Sequence, residues 1–196
     1  MNRRVGAILS YILMIAEVLS TFLLTPYIIS TLGDAEYGVY KLSASIVAYL
    51  LLLDLGIGNS VVKFVSKYRT EGDEVQCRKF LGITTIYYIT IALICLVVGA
   101  VCIIIYPTAF ATGLSKSEIS IGQKLLFITT ANAAITLGVT GFKNTISAYE
   151  RFDISRGISI VSTILRVCLT LPVLKLGLGS VGIVSVNLIL TIVTSV

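Results

Sequence analysis

The chain has 196 residues, of which 56% are hydrophobic and 13% are charged, whereas about 25% of the residues in a typical soluble domain are charged. Its mean hydropathy of +0.98 predicts an integral membrane protein. The sequence contains no histidine, which excludes imidazole general bases and histidine-ligated metals on this chain. The four cysteines follow no metal-binding or disulfide pattern, so neither a cofactor nor a metal site is expected.

Six apolar segments follow one another along the chain, separated by short polar stretches. Because a helix of roughly 20 apolar residues can cross a bilayer, we predict a single all-α membrane domain, 1–196, built as a bundle of six transmembrane helices. The predicted helices cover about residues 5–32, 39–62, 80–105, 124–147, 157–175 and 181–196.

The connections between these segments carry glycine, proline and charged residues. The first is a tight polar turn, 33–38, and the second is a hydrophilic loop, 66–79. Tyr106-Pro107 is expected to end the third helix, because proline disfavours helical conformation at the residue before it. The last apolar segment has no polar tail after it, and we expect the chain to be one half of a larger transporter or a fragment of one.

Lysine and arginine in the loops predict the orientation in the membrane. With a cytoplasmic N-terminus, ten of the fifteen basic residues lie on the inner side, four lie outside, and Arg166 lies within the membrane. The net charge of +5 is therefore interpreted as a signal that sets the orientation in the lipid bilayer, and no nucleic-acid partner is expected. The predicted location is the cell (inner or plasma) membrane.

Three charged residues, Glu17, Asp54 and Arg166, fall inside the apolar segments. A charged side chain at that depth costs about 2.5–3.5 kcal/mol on insertion scales and is expected to face protein or water. We predict that these residues, with Asn132 and Thr163, surround a hydrated cavity for substrate or ion. Arg166 would pair with one acid and leave the other to bind a cation, a proton or a substrate group. Alternatively, Asp54 is a structural residue between helices, with its carboxylate hydrogen-bonded to the protein.

Serine, threonine and asparagine form stripes at helical spacing on the predicted helices 1, 4, 5 and 6. On helix 5 the stripe includes Ser159, Ser162, Thr163 and Arg166, which lie on one face of a helix. Such stripes favour either hydrogen-bonded packing between helices or the lining of a cavity. Lys143 and Arg151 lie near the cytoplasmic end of helix 4 and are candidates for a gate or headgroup contact. The alternative is that the loop containing Arg151 is solvated and holds only a local ion pair.

Four short motifs resemble the polysaccharide-biosynthesis flippases of the multidrug/oligosaccharidyl-lipid/polysaccharide exporter superfamily. They are Thr25-Pro26-Tyr27, Leu32-Gly33 with Tyr37-Gly38, Leu53-Asp54-Leu55-Gly56-Ile57-Gly58-Asn59, and Glu150-Arg151-Phe152. The resemblance covers the first four helices and the following loop, and extends to the last two helices only in layout.

This resemblance implies a V-shaped transporter of two six-helix lobes, which moves an oligosaccharide on a polyprenyl diphosphate from the inner to the outer leaflet. This chain would be the first lobe, and its partner would be the second half of the transporter. The resemblance also implies coupling to an ion gradient or the membrane potential, with Asp54 and Glu17 as candidates to bind a coupling cation or proton. Arg166 would contact the diphosphate, because a guanidinium matches phosphate geometry.

Three other functions remain open at this point. One is a cation-coupled multidrug or metabolite antiporter of the same superfamily, and another is a membrane scaffold that does not transport. The third is a multi-pass membrane enzyme, for which the turn with Asp34 and Glu36 is the candidate; no second catalytic group accompanies it, so we do not expect an enzyme.

Overall fold

The computed structural model describes residues 3–148 and 152–195, and these residues are helical apart from short connections. The helices are α1 (Arg3–Leu51), α2 (Ile57–Glu71), α3 (Glu74–Ala109), α4 (Lys116–Ala148), α5 (Phe152–Lys175) and α6 (Gly179–Val193), with a 3₁₀ turn at Leu52–Asp54. The all-α prediction is confirmed. Four stretches are long and apolar enough to cross a membrane, namely Ile8–Glu71, Glu74–Ala109, Lys116–Ile146 and Gly157–Lys175, which makes this a multi-pass membrane protein.

The break in α1 occurs at Gly33. An unbroken helix of 49 residues would be about 74 Å long, well beyond the thickness of a bilayer. Gly33 has φ 75° and ψ 167°, a conformation that a residue without a Cβ adopts at little cost. Leu24, before the break, and Tyr40, after it, both pack against the apolar cluster that contains Ile28. Both arms of α1 therefore pack against the cluster that Ile28 forms with Leu174 of α5 and Ile183 of α6.

The polar turn predicted at 33–38 is shorter than expected. Only Gly33 has non-helical dihedral angles within α1, and the helix resumes at Asp34. A single glycine is sufficient to end one arm and begin the next, so the polar residues after it belong to the second arm. The predicted helix end at Gly33 is confirmed, whereas the turn's length was wrong.

The second predicted helix, 39–62, is interrupted near its middle. α1 ends at Leu51, the 3₁₀ turn ends at Asp54, and the next two residues are left-handed, with φ 50° at Leu55 and φ 72° at Gly56. The prediction of one continuous helix was wrong here, because hydropathy contains no information on backbone conformation. The interruption places Asp54 at the end of a helix, where backbone carbonyls lose their partners within the helix.

Helix termini elsewhere extend well into the polar segments. The hydrophilic loop predicted at 66–79 is reduced to Gly72 and Asp73, because Gly72 ends α2 with φ 71° and the Asp73 carboxylate accepts a hydrogen bond of 2.9 Å from the Gln76 N–H. α3 continues past Pro107 to Ala109. The charged residues of the segment 66–79 therefore lie almost entirely on the surfaces of α2 and α3, and the loop prediction was wrong.

The main apolar core lies between α2, α3 and α4. Its fully buried side chains include Val61, Val65, Tyr88, Cys95 and Leu126. A smaller cluster joins α1 to α5 and α6 through Ile28, Leu174 and Ile183, and another joins α1, α4 and α6 through Val39, Leu125 and Val184. The outer surface carries large exposed apolar side chains, such as Phe22 and Ile104 at 78% and 74% exposure, as expected of a surface that meets lipid.

Candidate functional site: a polar cavity around Arg166

A cavity of about 320 Å³ opens between α1, α4, α5 and α6. It is lined mainly by polar and charged side chains, which are Glu17, Thr136, Lys143, Ser159, Ser162, Thr163, Arg166, Thr191 and Thr194, with Ile146 and Ile158. A second cavity of about 250 Å³ adjoins it and is lined by Asn132, Ser162, Arg166, Asn187, Leu190, Thr191 and Thr194. Because the two share Arg166 and three hydroxyl side chains, we describe them together as the Arg166 cavity.

Most of the predicted site residues come together in this cavity. Glu17, Thr163, Lys143 and Arg166 line the larger part, and Asn132 and Arg166 line the smaller part. The polar stripes explain why, since helical periodicity fixes which side chains share a face. Arg151, the remaining gate or headgroup candidate, lies outside the described residues.

The charged side chains that line the cavity belong to three different helices. Glu17 comes from α1, Lys143 from α4 and Arg166 from α5, and all three residues are exposed. No ion pair within 4 Å joins Arg166 to Glu17 or to Asp54 in the part of the chain that the structure describes. The predicted pairing of Arg166 with one acid was therefore wrong, and its guanidinium is available to a bound anion.

Glu17 lies at the rim of the cavity. It also borders an apolar groove on α1 beside Val18, Thr21, Phe22 and Pro26. Its carboxylate thus stands between the polar interior and the apolar surface. This position was not predicted, because the stripe on the first helix indicates a face but not where that face ends.

Two amide oxygens in the smaller cavity lack a hydrogen-bond partner. Asn132 on α4 and Asn187 on α6 both line it, and the Oδ1 atom of each is buried without a partner among the described residues. Buried polar atoms are nearly always hydrogen-bonded in native proteins, so a ligand hydroxyl or water is the expected donor. Asn187 lies on the sixth predicted helix, one of those with a polar stripe, but it was not predicted as a site residue.

The threonine hydroxyls of the stripes bond to their own helices rather than across to neighbours. Thr136 donates to the Asn132 carbonyl at 2.8 Å, and Thr163 donates to the Ser159 carbonyl at 2.9 Å. These bonds satisfy the hydroxyl protons locally and leave the oxygen lone pairs available as acceptors. Packing by interhelical hydrogen bonds, one of the two predicted roles, is not what these two residues do.

Asp54 is placed apart from the Arg166 cavity. It does not line either part of the cavity, and its Oδ1 atom is buried without a hydrogen-bond partner among the described residues. The Tyr87 hydroxyl on α3 donates to the neighbouring Leu53 carbonyl at 3.3 Å. Asn144 on α4 contacts α3, because its Nδ2 donates a hydrogen bond of 3.4 Å to the Tyr88 hydroxyl. The helix break before Gly56 changes the direction in which Asp54 points, and a periodicity that assumes a continuous helix misses this change.

A family model described as "Polysaccharide biosynthesis protein" matches residues 5–196. The chain belongs to this family. No curated protein and no solved structure matches the chain. The resemblance inferred from the four sequence motifs is confirmed at the level of the family.

One further contact of this polysaccharide biosynthesis family member joins distant parts of its sequence. The Oε1 atom of Glu36 accepts hydrogen bonds from the Ser180 N–H at 2.7 Å and from the Ser180 hydroxyl at 2.6 Å. A Cβ atom on Gly179 would lie 2.6 Å from the same oxygen, so glycine permits the approach. The acidic turn considered above as an enzyme site thus holds the start of α6, a role that no local signal in the sequence reveals.

Proposed function

We propose that this protein is the first six-helix lobe of a transporter that moves a polyprenyl-diphosphate-linked oligosaccharide from the inner to the outer leaflet of the cell membrane for polysaccharide export. Its N-terminus would be cytoplasmic, and it would act with the second half of the transporter rather than as an enzyme. The observation that carries the proposal is the polar cavity lined by Arg166, which pairs with neither Glu17 nor Asp54 within 4 Å among the described residues.

The charge of the cavity favours an anionic substrate. Among the described residues that line it, Arg166 has no ion pair with an acid within 4 Å, so its guanidinium attracts a diphosphate and repels a cationic drug. Arg166 can bind phosphate oxygens in a bidentate manner, and Lys143 supplies a point charge. A cation-coupled multidrug antiporter is therefore the weaker alternative for this site.

The neutral groups of the cavity suit a sugar. The unpartnered Oδ1 atoms of Asn132 and Asn187 are acceptors for sugar hydroxyl protons, and the threonine oxygens have free lone pairs. One ligand that carries both hydroxyls and a diphosphate would satisfy the orphaned amides and the cations together. Neither a scaffold nor an apolar drug accounts for the orphaned acceptors.

Substitution of Arg166 tests the proposal. In the full-length protein reconstituted in nanodiscs, Arg166→Ala should weaken binding of a polyprenyl diphosphate about 10- to 100-fold, because a hydrogen bond to a charged group contributes about 1.5–3 kcal/mol. Arg166→Lys should lose less. Lys116→Ala, which removes an exposed cation at the start of α4, is the matched control and should leave binding unchanged.

The same variants can be compared in cells that depend on this gene for polymer export. Arg166→Ala should stop export, raise the amount of lipid-linked sugar and leave protein abundance unchanged. Unaltered diphosphate binding and unaltered export in Arg166→Ala would contradict the proposal. Efflux of a cationic dye that survives in the variant, with no effect on lipid-linked sugar, would favour the antiporter.

A further inference from the structure

A separate cavity of about 480 Å³, which we call the α2–α3 cavity, lies where α2 ends and α3 begins. Tyr68 and Arg69 of α2 line it together with Glu74, Arg78 and Leu81 of α3. Its volume is within the range of about 300–1,000 Å³ that sites for small molecules occupy. None of these residues lines the Arg166 cavity, so a ligand here is independent of the substrate proposed above.

The turn beside the α2–α3 cavity is held by hydrogen bonds. Gly72 is left-handed with φ 71°, and its N–H donates to the Arg69 carbonyl at 3.2 Å. The Asp73 N–H donates to the Tyr68 carbonyl at 3.0 Å, and the Asp73 carboxylate accepts the Gln76 N–H at 2.9 Å. These bonds fix the end of α2 relative to the start of α3, so the cavity is formed before any ligand binds.

Arg78 is a cation without a counter-ion. Among the described residues, no ion pair within 4 Å reaches its guanidinium, although Glu74 lies one turn earlier on α3 and lines the same cavity. Arg69 already interacts with another group of the chain, which leaves Arg78 as the cation for a ligand. Across residues 63–79, five basic residues outnumber three acidic ones. The surroundings of the cavity therefore favour an anion.

Arg78 lies at the point where α3 becomes apolar. The stretch 80–109 of this helix carries no charged residue. Leu81 lines the cavity three residues after Arg78, which is about 4.5 Å further along the helix axis. At the same depth, the rings of Phe64 on α2 and Phe80 on α3 pack with their centroids 5.4 Å apart. The cavity thus passes from charged to apolar side chains over a short distance, as the boundary between lipid headgroups and acyl chains does.

We propose that the α2–α3 cavity binds the headgroup of an anionic phospholipid from the leaflet on this side of the membrane, with Arg78 on its phosphate. A guanidinium matches phosphate geometry, and basic residues beside a membrane-spanning helix attract anionic lipids. The acyl chains would lie along the exposed apolar surface of α3, which includes Ile83 and Ile86. A soluble phosphate compound would leave the apolar side of the cavity at Leu81 without contact, which favours a lipid.

The test is native mass spectrometry of the full-length protein in an uncharged detergent. Phosphatidylglycerol, phosphatidylethanolamine and phosphatidylcholine with identical acyl chains are titrated separately, so that only the headgroups differ. One phosphatidylglycerol per chain should bind about tenfold more tightly than phosphatidylcholine, whose ammonium group cancels its negative charge. Soluble glycerol phosphate carries the same headgroup chemistry without acyl chains, and it should bind far more weakly than the lipid.

Two neighbouring cations provide a matched pair of variants. Arg78→Gln removes a charge that lines the cavity, and it should weaken phosphatidylglycerol binding about tenfold or more, because a hydrogen bond to a charged group is lost. Lys79→Gln removes an equal charge from the next residue, which is exposed and does not line the cavity, and it should leave binding unchanged. Arg78→Lys should lose less than Arg78→Gln, because it keeps the charge but not the planar donor group.

Equal losses in Arg78→Gln and Lys79→Gln would show a diffuse attraction to the basic surface and would overturn the proposal. The lipid preference of the unaltered protein keeps the proposal testable if Arg78→Gln does not fold, since equal binding of the three lipids, or tighter binding of phosphatidylethanolamine, would also overturn it. Glycerol phosphate that binds as tightly as the lipid would overturn it in favour of a soluble phosphate compound.

Arg166→Ala separates this site from the Arg166 cavity. Phosphatidylglycerol binding should be unchanged in that variant, because Arg166 does not line the α2–α3 cavity. Its loss there would place the lipid in the Arg166 cavity and overturn the proposal. Weaker diphosphate binding with the lipid preference intact is the result expected if both proposals hold, whereas unaltered diphosphate binding would contradict only the function proposed for Arg166.

Discussion

Glycines set how closely α3 and α4 approach. At three positions of this interface, a side chain in place of glycine would overlap a residue of the facing helix. The pairs are Gly99 with Thr130, Gly122 with Tyr106, and Gly141 with Tyr88. Small residues matter at such points because helices in lipid associate by close packing rather than by the hydrophobic effect. Each glycine is a recess that receives a larger side chain.

Gly122→Ala tests this packing. Tyr106 is buried to 1% exposure and has no space to move away from a new methyl group, so we expect a loss of about 1–3 kcal/mol in the free energy of unfolding. The matched control is Gly138→Ala, where the nearest atom to a Cβ would be 3.9 Å away. That variant should be neutral or slightly stabilising, because alanine favours a helix more than glycine does.

Thermal unfolding of both variants in one detergent measures the difference. A midpoint for Gly122→Ala equal to that of Gly138→Ala would show that the α3–α4 interface is loose at Tyr106. Both positions lie within α4, so Gly138→Ala measures the effect of replacing glycine by alanine in this helix without the overlap with Tyr106.

Residue periodicity predicted much of the Arg166 cavity. Thr163 and Arg166 lie three residues apart on α5 and both line it, and Glu17 and Asn132 reach it from other helices. Continuous helices preserve the spacing on which such a prediction depends. Asp54 lies just before a break in the helix, where that spacing fails, so its separate location could not be predicted in this way.

At the level of elements, the ends of helices were harder to predict than their middles. α4 begins at Lys116, well before the apolar segment at 124, because Ser115 and Glu118 form a capping box. The Ser115 N–H and hydroxyl donate to the Glu118 carboxylate at 2.7 and 2.6 Å. Hydropathy marks where a membrane ends, whereas caps mark where a helix ends. The Ser-x-x-Glu signal was present in the sequence and was overlooked.

The contact between Glu36 and the start of α6 carries the next prediction. α6 has 15 residues and no side-chain cap of its own, so the Glu36 carboxylate serves as its cap from α1. Glu36→Ala should lower the free energy of unfolding by about 0.5–2 kcal/mol, as for loss of a helix cap. Asp34→Ala, at the exposed acid two residues earlier, is the control.

Hydrogen exchange separates a local effect from a general one. In Glu36→Ala the amide of Ser180 should exchange faster than in the unaltered protein, because its acceptor at 2.7 Å is lost. Amides in α3 should be unaffected. If the Ser180 amide exchanged at the same rate in both proteins, the cap would be supplied by another group.

For the whole molecule, the distribution of apolar surface agrees with burial in a bilayer. Large apolar side chains such as Ile83 and Ile104 are exposed on α3, and the polar side chains of α4, α5 and α6 meet in the Arg166 cavity. The class of the protein was predictable because composition and segment length are sufficient for it. The count of six spans remains a prediction, since α6 with 15 residues is short for a full crossing.

The orientation of the whole bundle gives the last prediction. With the N-terminus inside, the α2–α3 turn is cytoplasmic and the α3–α4 connection is external. Thr70 and Thr112 flank the two ends of α3 and are both exposed. The 36 residues of α3 separate these ends by about 54 Å. In a variant without the four native cysteines, a membrane-impermeant maleimide added to intact cells should label Thr112→Cys. It should label Thr70→Cys only after the membrane is opened.

The reverse pattern would invert the molecule and with it the proposed direction of transport. Lys143 lies near the end of α4 that shares the side of the α2–α3 turn, and Arg166 lies in the middle of α5. With that side cytoplasmic, a diphosphate from the inner leaflet would meet Lys143 before Arg166. Labelling of Thr70→Cys alone in intact cells would place Lys143 at the outer leaflet, and the cavity would then receive its substrate from the wrong side for export.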